Sequence, residues 1–279
     1  MRIAVGFLLM VLLAAADARM ALAANAPEPV RIAGPGLVLD AMLYRPHGDG
    51  PFPAVVALHG CAGLGKHGLA ARYRDWAERL VSIGFAVLLP DSFGSRGLGP
   101  QCRTRKRSVR AGRERVADAN AARRWLQEQP FVKPDRVSLL GWSNGATTVL
   151  YTVRAENSAE KAHPDFRSAV ALYPGCRQPR ETGWSARVPT LILIGGADDW
   201  TPAQACEQMV AGASGGAGAP VSIVVYPGAY HGFDEPNQPV RILTGMAASA
   251  DGSGAVHLGT DPAARADALK RVPEWLSRQ

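Results

Sequence analysis

Six short stretches of the chain are almost unbroken in apolar residues: Ala54–Leu58, Ala86–Leu89, Val137–Leu140, Ala169–Tyr173, Thr190–Ile194 and Val221–Tyr226. Runs this short and this continuous are expected of strands covered on both faces in a parallel sheet. Between them, apolar positions recur at helical spacing near 69–83, 109–128, 144–155 and 203–212, with a last stretch near 262–277. Gly84 stands where a left-handed glycine would close the first helix. Alternation of this kind predicts an α/β fold, a doubly wound and mostly parallel sheet with helices on both faces. Two earlier runs, Val30–Ala33 and Val38–Tyr44, predict an antiparallel hairpin ahead of it. The Gly/Ala stretch 212–218 precedes a strand and lacks phosphate-loop spacing, so it reads as a linker. Residues 234–261, rich in Gly, Pro, Ser and Asp, read as a surface excursion. Neither stretch separates two cores, and residues 24–279 are expected to form one domain.

The N-terminus breaks the pattern. Met1-Arg2 is followed by 14 uncharged residues, Ile3 to Ala16, and then by Ala21-Leu22-Ala23. A short basic start, an apolar run and small residues at a cleavage position make residues 1–23 an expected secretory signal. The run is shorter than the roughly 20 residues a spanning helix needs, so no stable membrane anchor is expected. The first cysteine is Cys61, too late for a lipid-modified terminus. Export to a periplasmic or extracellular space makes the four cysteines candidates for disulfides.

Composition narrows the class without naming a function. With 47% hydrophobic and 20% charged residues over 279 positions, the chain is neither disordered nor a coiled coil. The net charge of +7 is partly local, since 103–115 holds seven Arg and Lys against Glu114. No aromatic residue interleaves those cations as base stacking would require, so nucleic acid is not an expected partner. The segment reads as a solvated helix start in preference to an anion-attracting rim.

Chemistry is carried by Gly141-Trp142-Ser143-Asn144-Gly145, which follows one apolar run directly and opens a helical one. In that context G-x-S-x-G is a nucleophile elbow: a strained turn lifts the serine above the sheet edge. A serine alcohol needs an adjacent base and a third group to orient that base. Asp198 and Asp199 lie just beyond Thr190–Ile194, and His231 lies just beyond Val221–Tyr226. Both sets fall at the carboxyl edge of the sheet, in the acid-then-histidine order this fold uses. Histidines 47, 163 and 257 lie away from such strand ends. A metal on Asp198, Asp199 and His231 lacks a recognisable ligand spacing, and no metal or cofactor is expected. His59-Gly60-Cys61 follows the strand Ala54–Leu58, so the backbone N–H groups of Cys61 and Asn144 are the expected oxyanion donors. Phe93, Arg96, Trp200 and Tyr230 are the pocket candidates, by proximity to the same edge. Loop adjacency at that edge predicts disulfides Cys61–Cys102 and Cys176–Cys206.

The set His59-Gly60-Cys61, Gly-Trp-Ser143-Asn-Gly, Gly-Gly-Ala-Asp198-Asp-Trp-Thr-Pro202 and Tyr-His231-Gly-Phe resembles the dienelactone hydrolase family of α/β-hydrolases, from about residue 30 onward. The resemblance implies that Asp198 is the acid, because the family's Gly-x-x-Asp-x-x-x-Pro segment lands on Gly195, Asp198 and Pro202. The best-known members carry cysteine in the elbow, and a glutamate that holds the resting thiol. Here Ser143 and Gly60 occupy those places, two departures that agree with each other. The resemblance implies a small-molecule ester or lactone as substrate, cleaved through an acyl-enzyme on Ser143. A peptidase of the same fold, or a binding protein that has lost turnover, would be the alternatives.

Overall fold

The computed structural model describes residues 26–34, 36–65, 68–156, 162–213 and 218–279. The expected signal at 1–23 lies outside the described residues. Strands β1 (Glu28–Gly34) and β2 (Leu37–Tyr44) pair antiparallel as the opening hairpin. Then follow β3 (Phe52–Leu58), α1 (Ala71–Ser82), β4 (Ala86–Pro90), α2 (Glu114–Gln127), β5 (Val132–Trp142) and α3 (Asn144–Thr152). The chain continues with β6 (Ala169–Leu172), α4 (Arg177–Glu181), β7 (Thr190–Gly195), α5 (Ala203–Ala213) and β8 (Val221–Tyr226). It closes with β9 (Arg241–Leu243), β10 (Val256–Leu258) and α6 (Pro262–Arg278).

Eight strands form one sheet in the order β1-β2-β4-β3-β5-β6-β7-β8. From β4 to β8 every pairing is parallel, and only β1 and β2 run against their neighbours. The expected α/β class is therefore the observed one. Every residue of β4, β6 and β7 is buried, whereas β8, at the sheet edge, is mostly half-buried. That contrast follows from helices covering both faces of the interior strands.

Several elements depart from the pattern, the short helix α4 among them. Helix α2 begins at Glu114, not near 109, because the Arg110 amide and guanidinium both turn back onto the Glu114 carboxylate. The surface excursion contains the two-stranded ribbon β9–β10, whose alternation is too short to read. Strand β5 extends back to Val132 past Pro134, through exposed residues without an apolar signature.

The core under the carboxyl edge is aromatic and holds a buried carboxylate. Asp234, fully buried, accepts from Trp76 Nε1 at 2.8 Å, Trp142 Nε1 at 2.9 Å and the Tyr173 hydroxyl at 2.6 Å. Three donors offset the cost of burying that group. Because Asp234 is three residues beyond His231, the network also pins the loop that carries the histidine.

Candidate active site

Two glycines let the elbow form. A Cβ on Gly145 would stand 2.0 Å from the Leu58 carbonyl oxygen, and one on Gly141 would stand 2.6 Å from Gly145 itself. Strand β5, helix α3 and the end of β3 therefore close on one another only with glycine at both places. Between them Ser143 adopts φ 53°, ψ −117°, a conformation that costs a non-glycine residue about 1–3 kcal/mol. Its amide is held by the Leu172 carbonyl at 2.9 Å, which leaves the side chain to project at the start of α3.

There Ser143 Oγ lies 2.9 Å from His231 Nε2, and His231 Nδ1 lies 2.8 Å from Asp198 Oδ2. Asp198 and His231 are both buried. The other Asp198 oxygen accepts from the Trp200 and Thr201 amides at 2.9 and 2.8 Å. The Thr201 hydroxyl sits 2.9 Å from Asp198 Oδ2 and 3.1 Å from His231 Nδ1, steadying both partners. Tyr173 and Trp200 flank the imidazole, with ring centroids at 4.6 and 4.8 Å. A hydroxyl, an imidazole and an oriented carboxylate in series can move a proton off the serine as it attacks a carbonyl.

The adjacent acids diverge. Asp199 Oδ2 lies 2.7 Å from His257 Nδ1, and Asp199 Oδ1 accepts the His257 amide at 2.8 Å. His257 in turn stacks on Tyr230 with centroids 4.7 Å apart. The sequence places His257 away from the site, but ribbon β9–β10 folds back beside it, with Leu258 bridged to His231. Spacing along the chain cannot show such a return.

On the other side of Ser143, the N–H groups of Cys61 and Asn144 have no protein acceptor among the described residues. The segments that carry them are held by Arg115, which the charge pattern groups with the solvated cations of 103–115. Its guanidinium donates to the His59 carbonyl at 2.7 Å and to Asn144 Oδ1 at 2.7 Å, tying the two donor-bearing segments together. Arg115 is fully buried and has no carboxylate within ion-pair distance among the described residues. Burial pulls its pKa down to about 10, still charged at neutral pH. Beside it, His59 is buried with Nδ1 near the Gly60 carbonyl and Nε2 accepting the Ser92 amide, and burial holds its pKa well below the usual value. It is thus neutral and structural.

The cysteines form Cys61–Cys102 and Cys176–Cys206, the pairs expected from loop adjacency. The first ties the loop after β3 to the segment beginning at Cys102. Of the pocket candidates, Trp200 lines the cleft above Ser143. Phe93 does not: it is buried against His59 and under the Arg115 guanidinium. Arg96 is occupied by a bidentate bond to buried Asp118. Tyr230 is spent on His257. The cleft has a volume of about 1000 Å³, and its walls include Arg105, Lys106, Arg107, Arg110 and Arg113, joined by Arg177. The basic segment is solvated, with Arg105, Lys106, Arg110 and Arg113 exposed and Arg107 half-buried, and it also forms a wall of the cleft beside the Cys61–Cys102 bridge.

The sequence model of the dienelactone hydrolase family matches residues 39–279, most of the chain. The chain belongs to this family. Like its relatives in the dienelactone hydrolase family, it is a hydrolase acting on ester or lactone bonds. An uncharacterized protein of Mycobacterium tuberculosis is 31% identical over 208 residues, covering 69% of this chain and 68% of its own. A Synechocystis protein named "Putative carboxymethylenebutenolidase" is 26% identical, covering 73% of this chain and 85% of its own. Among solved structures, a Klebsiella pneumoniae protein titled "Putative Dienelactone Hydrolase" superposes with a TM-score of 0.70 at 21% identity. It covers 92% of this chain and the whole of its own, a likeness of fold.

Proposed function

We propose that this member of the family is an exported serine hydrolase that cleaves carboxylic esters or lactones through an acyl-enzyme. The observation that carries the reading is the unbroken series Ser143 Oγ, His231 Nε2, His231 Nδ1, Asp198 Oδ2, with each contact within 2.9 Å. His231 takes the Ser143 proton as Oγ adds to the carbonyl carbon. The developing oxyanion is met by the free N–H groups of Cys61 and Asn144, and such a donor is worth about 3–4 kcal/mol in the transition state. His231 then gives its proton to the leaving alkoxide, and the acyl group stays on Ser143. Water, deprotonated by the same His231, releases the acid and restores the serine. Asp198 keeps the imidazole in the tautomer with hydrogen on Nδ1 and stabilises its cationic form.

Export is supported by the signal pattern of residues 1–23 and by two disulfides, bonds that persist in oxidising compartments. Among the described residues no helix is long and apolar enough to cross a membrane. The mature protein should begin after Ala23, which N-terminal sequencing of the exported form reads directly. A fluorophosphonate probe should label the wild type at Ser143 and leave Ser143→Ala unlabelled. Turnover of 4-nitrophenyl acyl esters with little or none of peptide anilides separates the reading from a peptidase. Labelling that persists in Ser143→Ala contradicts it.

A further inference from the structure

The cations around the cleft are in excess of any charge they serve within the chain. Among the described residues that line it, six are Arg or Lys and none carries a carboxylate. One acid, Glu114, is shared: it accepts from Arg110 at 3.0 Å and lies 3.5 Å from Arg113. Arg105, Lys106, Arg107 and Arg177 have no ion pair among the described residues. Among the described residues the Arg107 and Arg177 side chains hydrogen-bond only to main-chain carbonyls, those of Gln101 and Ala250. Arg107 is half-buried, and burial lowers its pKa, the sign of a cation lacking a counter-charge.

The main chain that carries these charges is held in place. The basic segment is tied at its start by the Cys61–Cys102 bridge and by the Gln101 amide on the Cys61 carbonyl at 2.7 Å. Its far end is tied by Arg110 on Glu114. A third tie joins the Ala247 amide to the Cys102 carbonyl at 3.0 Å, and Ala247 belongs to the stretch that closes the cleft with Ser249. Like charges brought together on a braced wall repel one another, a standing cost that an anionic ligand relieves. A volume of about 1000 Å³ is also at the upper end for a small-molecule site, well beyond a single lactone ring.

We infer that the cleft takes an ester or lactone carrying two or more carboxylates outside the scissile group, with those charges on the wall formed by Arg105, Lys106, Arg107 and Arg177. The inference rests on the serine hydrolase reading and names its substrate class. Electrostatic focusing in a cleft of one sign raises association by roughly 10- to 1000-fold, with the effect falling as salt screens it.

Two series of probes test it, one for each side of the ester. The acyl series is 4-nitrophenyl butyrate, the mono-4-nitrophenyl ester of succinate, and the mono-4-nitrophenyl ester of propane-1,2,3-tricarboxylate. The alcohol series is phenyl acetate, 3-acetoxybenzoate and 5-acetoxyisophthalate. Each kcat/KM is divided by the probe's rate with hydroxide. In at least one series the dianion should exceed the neutral ester by tenfold or more, and the monoanion by threefold or more, at 20 mM ionic strength, with both ratios shrinking several-fold at 0.5 M salt. In Arg105→Glu/Lys106→Glu the ratio of dianion to neutral should fall by tenfold or more, a comparison made within one protein. Dianionic probes no faster than the monoanionic ones in both series, or a ratio untouched by salt and by the double variant, overturn the inference. Hydrolysis of the neutral esters, lost in Ser143→Ala, reports separately on the hydrolase reading, so either can fail without the other. A binding arm covers absent turnover: Ser143→Ala should bind propane-1,2,3-tricarboxylate by calorimetry and not butyrate, and equal binding of the two overturns the inference.

Discussion

Replacing Arg115 with methionine removes a buried cation that bridges the two segments carrying the oxyanion donors. Two bonds are lost, each 2.7 Å long, to the His59 carbonyl and to Asn144 Oδ1. Bonds to a charged group contribute about 1.5–3 kcal/mol each, so the gross loss is roughly 3–6 kcal/mol. Against it stands the desolvation of a guanidinium with no carboxylate partner, itself several kcal/mol and absent in the variant. The two nearly cancel, and the folded state should change in stability by no more than about 2 kcal/mol. Catalysis has no such compensation. A lost oxyanion donor costs about 3–4 kcal/mol, and loosening both by part of that amount costs roughly 2 kcal/mol. At 1.36 kcal/mol per decade, that lowers kcat about 30-fold with KM little changed. Steady-state kinetics on 4-nitrophenyl butyrate, beside a thermal melt, separates the two effects. Arg115→Lys should recover part of the loss, since one ammonium can reach one acceptor but cannot span both. A folded methionine variant with kcat within twofold of wild type, or with only KM raised, would refute the bridging role.

Asp198→Asn should lower kcat by about 10⁴, as expected where the acid sets the histidine tautomer, while Asp199→Asn should cost less than tenfold because Asp199 serves His257. The reverse order, read by the same assay, assigns the acid to Asp199. Cys61→Ser/Cys102→Ser opens a cross-link of sequence separation 41, worth roughly 4 kcal/mol in the chain-entropy model. For a domain of this size that is about 8–16 °C in Tm by calorimetry, and kcat should fall as well, since the Cys61 amide belongs to the oxyanion side. His59 gives an acid-side signature. Its native pKa is depressed by burial, so below about pH 6.5 the unfolded chain binds a proton that the folded protein refuses. Its contribution is full above that pH and is lost on acidification, at about 1.4 kcal/mol per pH unit. Urea unfolding between pH 7 and 5 should show a shallower dependence in His59→Gln, and identical slopes would remove His59 as a source.

The parallel sheet is legible because its strands are buried on both faces, so each writes a continuous apolar run such as Thr190–Ile194. Ser143, Asp198 and His231 are legible for a related reason: each follows such a run directly, and runs in a parallel sheet end on one edge. What is hidden depends on returns of the chain. His257 reaches Asp199 only because ribbon β9–β10 doubles back, and three-residue strands leave no periodic trace. Arg115 is hidden by residue type, since an arginine early in a helix reads as solvated, yet α2 buries Arg115, Asp118 and Arg123. The basic wall is half legible on the same grounds. Seven cations in thirteen residues signal a solvent face, which most of them do keep, but the fold also sets five of them on the wall of the cleft and buries Arg115.

The central claim is that Ser143 and His231 act as one unit, and the double variant tests it most directly. Ser143→Ala, His231→Ala and Ser143→Ala/His231→Ala are compared by kcat on one neutral 4-nitrophenyl ester, with folding checked by circular dichroism. Because the histidine works only through the serine, either single change should abolish the shared step, and the double variant should be scarcely slower than either. Losses that multiply in the double variant would mean the two residues contribute independently, and the acyl-enzyme mechanism through a Ser143–His231 pair would be wrong.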